Sequence, residues 1–179
     1  MEAIVGRDNI SHESLSDLCG DNGANSRANI VGKLLNTCSD VAPNAFAGDI
    51  FKRIASQEPI SSKILYEDVQ TTSDYAKMVF CLNELPKTND NSNGFYRRFL
   101  IAPFLKEIPK SKINPNLSKE IIGKELSGIM NWVLKGRERI VRNHAFTDSP
   151  IMQKALDSYK KRGSVGKKKI SLILPSSFK

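Results

Sequence analysis

Between Tyr75 and Phe104 two short apolar runs flank a polar loop, and no other stretch restricts the fold as tightly. Met78-Val79-Phe80-Cys81-Leu82 is continuously apolar and too short for a helix, so it predicts a buried strand. The run leads into Asn83-Glu84-Leu85-Pro86, and proline cannot continue a ladder because it lacks the backbone donor. Lys87 to Gly94 is dominated by Asn, Asp and Ser, which is turn chemistry. After the pair Arg97-Arg98, Phe99-Leu100-Ile101-Ala102 predicts a second buried strand. Two buried strands with polar residues at their ends predict an α/β sheet with a site along one edge.

The flanking sequence is weaker. Residues 1–29 are polar and irregular after Ala3-Ile4-Val5, with a short helix capped by Ser11 over Ser14 to Leu18 and a loop at Gly20 to Asn25. Ile30 to Ser39 is an apolar, strand-like segment ending at Asp40. An acid at a strand end is where an α/β nucleotide site places a metal-binding carboxylate, and also where turn propensity alone places one. Asp49 caps a short helix with Ile50, Phe51 and Ile54 on one face. Glu58 to Asp74 reads either as a solvated surface loop or as a projecting hairpin with Lys63 near its tip. Lys106 to Pro115 is a linker. Glu125 to Val141 carries Leu126, Ile129, Met130, Val133, Leu134, Ile140 and Val141 at helical spacing, with Trp132 beside the stripe as a core or interface residue. Asp148-Ser149-Pro150 starts a helix that runs to Arg162, and a short strand-like end, Ile170 to Leu174, follows the basic run Lys167-Lys168-Lys169.

The 179 residues suit one domain with an appendage, and the 40% hydrophobic share supplies a core. No apolar run is long enough to span a bilayer, and Met1-Glu2-Ala3 opens no signal pattern, so a cytoplasmic protein with no membrane partner is expected. Cys19, Cys38 and Cys81 match neither zinc nor disulfide spacing and read as reduced thiols, while His12 and His144 stand alone. Residues 151–179 hold eight Lys or Arg against Asp157, so +7 of the net +8 lies there; such a tail suits nucleic acid or an acidic surface, or simple solubility. Gly32-Lys33 is followed by Leu34 and Gly166-Lys167 by Lys168, so the chain contains no Gly-x-x-x-x-Gly-Lys-Ser/Thr phosphate loop.

In order, several blocks form a recognisable series. They are Val31-Gly32-Lys33-Leu34-Leu35-Asn36 with Asp40, Ile50-Phe51-Lys52 through Glu58-Pro59-Ile60, and Tyr75-Ala76-Lys77. Asn83-Glu84-Leu85-Pro86 with Gly94-Phe95-Tyr96-Arg97-Arg98-Phe99, and Glu125-Leu126-Ser127-Gly128-Ile129-Met130-Asn131-Trp132, complete it. Over roughly residues 3–160 this series resembles the helicase part of phage and plasmid primase–helicases of the poxvirus and satellite-phage type, which are superfamily 3 helicases on an AAA+ core.

The resemblance implies an α/β fold: a partial AAA+, P-loop NTPase-like core over residues 1–105, a linker and helical C-terminal subdomain over 106–162, and a basic tail over 163–179. It places Asp40 at the Walker B acid that holds magnesium through the nucleotide, and Asn83 at the sensor beside the terminal phosphate. It makes Arg97 or Arg98 the arginine finger for a neighbouring subunit's ATP. Either arginine also suits a structural ion pair. It makes the Lys63 loop a channel hairpin that contacts DNA phosphates, and it leaves Lys167, Lys168 and Lys169 as further DNA contacts. The family's partners are Mg and ATP, single-stranded or forked DNA, and further copies in a hexameric ring. Its Walker A strand would precede Met1, between the strand ending at Asn83 and the one after the arginine pair. A sheet without it is expected to be marginal, rearranged, or completed by a partner chain supplying Walker A, because each unpaired buried backbone group costs about 1–3 kcal/mol. The function expected is thus a fragment of an ATP-dependent replicative helicase, not competent for ATP hydrolysis alone. The alternative is a non-enzymatic DNA-binding or assembly module from a mobile element.

Overall fold

A computed structural model describes residues 1–39, 41, 48–85, 90, 92–162 and 169–174. In chain order its elements are α1 (Glu2–Val5), β1 (Ile10–Ser11), α2 (Leu15–Cys19), α3 (Gly23–Ala28), β2 (Leu35–Cys38), α4 (Asp49–Ala55) and β3 (Ile60–Ser62). There follow β4 (Gln70–Thr72), β5 (Lys77–Leu82), α5 (Asn93–Tyr96), β6 (Leu100–Phe104), α6 (Leu117–Asn143), α7 (Pro150–Arg162) and β7 (Lys169–Ile173). The fold is mixed α/β, built on a five-stranded sheet in the order β1-β2-β5-β7-β6, with β3 and β4 forming a separate antiparallel hairpin.

The apolar run at Met78 forms the middle of this sheet. β5 pairs in parallel with β2, Asn36 against Met78 and Cys38 against Phe80, and β2 pairs in parallel with β1. The other neighbour of β5 comes from the far end of the chain. β7 runs antiparallel to both β5 and β6, with Leu172 opposite Phe80 on one side and Ile101 on the other. Strands β5 and β6 therefore point the same way with the last strand wedged between them. The alternation of β7 explains why it can do this: Ile170, Leu172 and Leu174 are buried, while Ser171 and Ile173 are half-buried. The segment expected to end in a basic tail instead supplies the strand that closes the gap, and no second chain is needed to pair those two ladders.

The core is continuous across the sheet and the short helices. Phe51 of α4, Phe95 of α5 and Phe99 meet at ring separations of 4.8–6.0 Å. Tyr159 of α7 packs edge-on against Tyr96 and Phe99. Helix α7 lies on β6 and buries Ala155 and Tyr159. Proline at its first turn, Pro150, suits a helix start because the donor it lacks would be unpaired there anyway.

Elsewhere the local signals were incomplete. The irregular opening contains β1, α2 and α3. Ser14, not Ser11, caps α2 by accepting from the Asp17 amide at 3.0 Å, and Ser11 lies buried in β1. Gly48 occupies the cap position of α4 and Asp49 is its first helical residue. The apolar segment from Ile30 becomes a strand only at Leu35, because Ile30 and Val31 turn out of α3 and pack in the core and against Tyr75. Helix α6 starts at Leu117, eight residues before the apolar stripe became legible, and buries none of its residues. No helix among the described residues is long and apolar enough to cross a membrane.

Candidate functional site

Parallel strands align their carboxyl ends, and β1, β2 and β5 bring three exits to one edge of the sheet. Asn83 follows the last residue of β5 and is exposed there with Glu84. Asp40 comes two residues after the end of β2, and its own position falls outside the described residues. The first residue of β7, Lys169, pairs with Phe104 and so enters at this same edge. Lys167 and Lys168 lie outside the described residues. The edge thus gathers chain positions that are far apart in sequence around the exposed amide of Asn83.

The outer part of the edge is fixed by a buried asparagine. Asn36 on β2 is fully buried, and its Oδ1 accepts from the Ser11 hydroxyl at 2.9 Å and from the Glu13 amide at 2.8 Å. Its Nδ2 donates to the Glu13 carbonyl at 3.0 Å. A buried side-chain amide must satisfy both ends, and this one does so by tying the exit of β1 to β2. His12 follows, with Nδ1 facing the Thr37 carbonyl at 3.1 Å and Nε2 facing a Glu2 carboxylate oxygen at 3.2 Å. In sequence His12 stood alone; the parallel pairing of two distant strands supplies its partners, and no spacing signal could have shown them. Among the described residues no group of three His, Cys, Asp or Glu side chains is placed to hold a metal ion.

The arginine pair sits at the opposite edge. Ser92 caps α5 by accepting from the Phe95 amide at 3.1 Å, and the buried rings of Phe95 and Tyr96 anchor the turn that follows. Arg98 is half-buried and committed: its Nε donates to Ser56 Oγ at 3.3 Å, just past α4, and its Nη1 donates to the Gly94 carbonyl. These partners are neutral, so it is held by hydrogen bonds where an ion pair was the structural alternative. Arg97 is exposed and, among the described residues, makes no side-chain contact of this kind. Leu100 lies level with Val79, and Pro103 with Leu82, through β7. Arg97 lies in the turn three residues before Leu100, and Leu100 is four residues of strand, about 13 Å at 3.3 Å per residue, from the level of Asn83, so the two residues stand at opposite ends of the strands.

The hairpin β3–β4 is present, and Lys63 opens the loop of residues 63–69 that joins its two strands. The Lys63 amide donates to the Ala24 carbonyl at 2.9 Å, while its side chain is exposed. The tip is a turn closed by the Glu67 amide on the Ile64 carbonyl at 3.1 Å. It displays Leu65 and Tyr66, the latter 97% exposed and left-handed at φ 67°. Strand β3 is held by Arg27, whose buried guanidinium donates to the Leu18 and Ser61 carbonyls at 2.6 Å each. Burial lowers the Arg27 pKa from its ordinary value.

A triphosphate needs a cradle of backbone amides and a lysine, and magnesium needs carboxylates. The described groups on the Asn83 edge provide one amide, a carboxylate from Glu84 and the His12–Glu2 pair. Asp40, the acid that the resemblance puts at the metal, lies outside the described residues and is not in that set.

No curated protein matches the chain. The profile of a family of unknown function, DUF5906, matches residues 1–98, which takes in the parallel strands, the hairpin, Asn83 and both arginines and stops short of β6, α6, α7 and β7. Because that match spans more than half of the 179 residues, the chain belongs to this family of unknown function.

Proposed function

We propose that the chain is the sensing and DNA-contacting part of a phage- or plasmid-type primase–helicase, on a partial AAA+ core, and that it meets ATP only beside a polypeptide carrying a phosphate loop. One observation carries this reading: an exposed arginine and an exposed asparagine stand at opposite edges of one sheet. That separation is suited to ligands shared between neighbours. Asn83 would face one nucleotide, and Arg97 would reach the nucleotide of the next subunit. An arginine suits that task through its planar, permanently charged fork. Arg98 is the positioning residue, since its hydrogen bonds hold the turn that presents Arg97. The β3–β4 hairpin, with Lys63 at the start of its loop and Tyr66 at its tip, is the DNA-contacting element, by phosphate attraction and by ring stacking.

The test is complementation in trans. A superfamily 3 helicase subunit that keeps its phosphate loop but has lost its own finger is mixed with this chain, and ATP turnover is measured. Wild-type chain restores turnover, and Arg97→Ala lowers the restored rate by about 10³-fold, the usual worth of an arginine finger. Absence of restoration, or equal restoration by Arg97→Ala, overturns the motor reading. The non-enzymatic alternative is favoured by the hairpin, which is complete without any nucleotide. Anisotropy of a labelled oligo-dT strand separates the two. Binding without restored turnover leaves a DNA-binding module, and Lys63→Ala then lowers the salt slope by about 0.7, the value for one single-strand phosphate contact.

A further inference from the structure

We propose that α6 pairs antiparallel with α6 of a second copy of this chain. The helix has 27 residues and buries none of them. Three of its residues are glycines, Gly123, Gly128 and Gly136, among the poorest helix formers, and helices of such composition need a packed face to persist in water. Its apolar residues are arranged for one. Ile122, Leu126, Ile129, Val133, Gly136 and Ile140 alternate at spacings of four and three, which is the seam of a coiled coil. Ile122 is 48% exposed and Val133 39%, while Leu126, Ile129, Gly136 and Ile140 are half-buried with α1 the neighbouring element, so among the described residues the seam is only partly covered.

Size and charge both select a second copy in the antiparallel sense. With the centres aligned near Asn131, Leu126 lies opposite Gly136 of the other copy, Ile129 opposite Val133, and Ile122 opposite Ile140. Each gap left by Gly136 then receives a leucine. A parallel pair would stack Gly136 on Gly136 and leave a void at the same level. Flanking the seam, antiparallel alignment sets Glu125 against Arg139 at both ends and Trp132 against Trp132 at the middle. Parallel alignment would set Glu125 against Met130 and Trp132 against Arg137, with no opposite charges meeting. The helix dipoles also oppose each other favourably only when the helices run antiparallel. Trp132, 69% exposed in the single chain, would be covered at the centre of the pair.

The experiment is sedimentation of the intact chain over about 1 to 200 μM, with fluorescence of Trp132, the only tryptophan, read in parallel. The expected result is a shift from the 19.9 kDa monomer to twice that mass, with a blue shift in emission. Ile129→Glu with Val133→Glu abolishes the shift. Because neither residue is buried within the chain, the near-ultraviolet signal of the aromatic core stays unchanged. Glu125→Arg weakens the dimer about tenfold, and adding Arg139→Glu restores it, which a merely sticky surface would not do. In a background lacking Cys38 and Cys81, Trp132→Cys forms an intermolecular disulfide and Leu126→Cys does not. A monomer at every concentration, a dimer indifferent to the Glu pair, or cross-linking through Leu126→Cys would each overturn the proposal; the first leaves another protein as the cover for α6.

Discussion

Leu172→Ala separates a tail from a strand. Leu172 is fully buried and sits between Phe80 on β5 and Ile101 on β6, themselves 0% and 1% exposed. Truncation removes three carbons from a site walled by two ladders, and the walls cannot close without breaking strand pairing. The cost therefore belongs in the middle to upper part of the usual Leu→Ala range of about 2–5 kcal/mol, near 3–4 kcal/mol. Against a urea slope of about 2 kcal/mol/M for a domain of this size, the unfolding midpoint falls by about 1.5–2 M. Ile151→Ala is the control: this side chain is 57% exposed on α7 and its loss shifts stability by less than about 0.5 kcal/mol. Equilibrium urea unfolding followed by far-ultraviolet circular dichroism measures both. A midpoint shift below about 0.3 M for Leu172→Ala, with an unchanged slope, would mean that β7 does not lie between β5 and β6.

Further outcomes are expected at other sites. Arg98→Ala lowers stability by about 1–2 kcal/mol through its lost hydrogen bonds, whereas Arg97→Ala stays within about 0.5 kcal/mol; thermal melts that reverse this order refute the division between positioning and exposed arginine. Asn36→Ala costs about 3 kcal/mol, because the Ser11 hydroxyl and Glu13 amide lose their acceptor in a buried place; a chemical-denaturation loss under about 1 kcal/mol would show that water replaces it. Burial pushes the Cys19 thiol up to about 11 against a smaller opposing pull from Arg27. A folded pKa above the unfolded one contributes stability that is complete below about 9 and is lost as pH rises toward 11. Stability should fall across that window and fall less steeply in Cys19→Ala. The slope will not vanish, since burial raises the Tyr75 and Tyr159 pKa values in the same sense. Iodoacetamide at neutral pH should label exposed Cys81 well before Cys19, which mass spectrometry can read.

The candidate site was legible where its signals are local. Asn83 at a strand end follows from an apolar run stopped by Pro86, and the arginine turn follows from the polar loop and the apolar run after it. The choice between Arg97 and Arg98 was not legible. It depends on Ser56, more than 40 residues away, coming within reach of one guanidinium. Composition marks the polar loop around Lys63 but not its register, and the pairing of Ser62 with Gln70 sets Lys63 at the first position of the loop.

Taken alone, the sequence determined what neighbouring residues decide among themselves: the apolar strand β5, the strand after the arginines, the α4 face with Phe51 and Ile54, the start of α7 at Pro150 and the helical period of α6. These depend on side-chain periodicity, on the missing donor of proline and on turn propensity, all of which act over a few residues. Tertiary structure alone decided the rest. A two-residue strand such as β1 has no period to read. A terminal apolar segment reads alike whether it hangs free or, like β7, joins residues some 90 positions apart in one ladder. An apolar stripe looks the same whether its own domain buries it or, as on α6, the described residues leave none of it fully buried. Ladder partners and buried area are non-local quantities, and no window of sequence contains them.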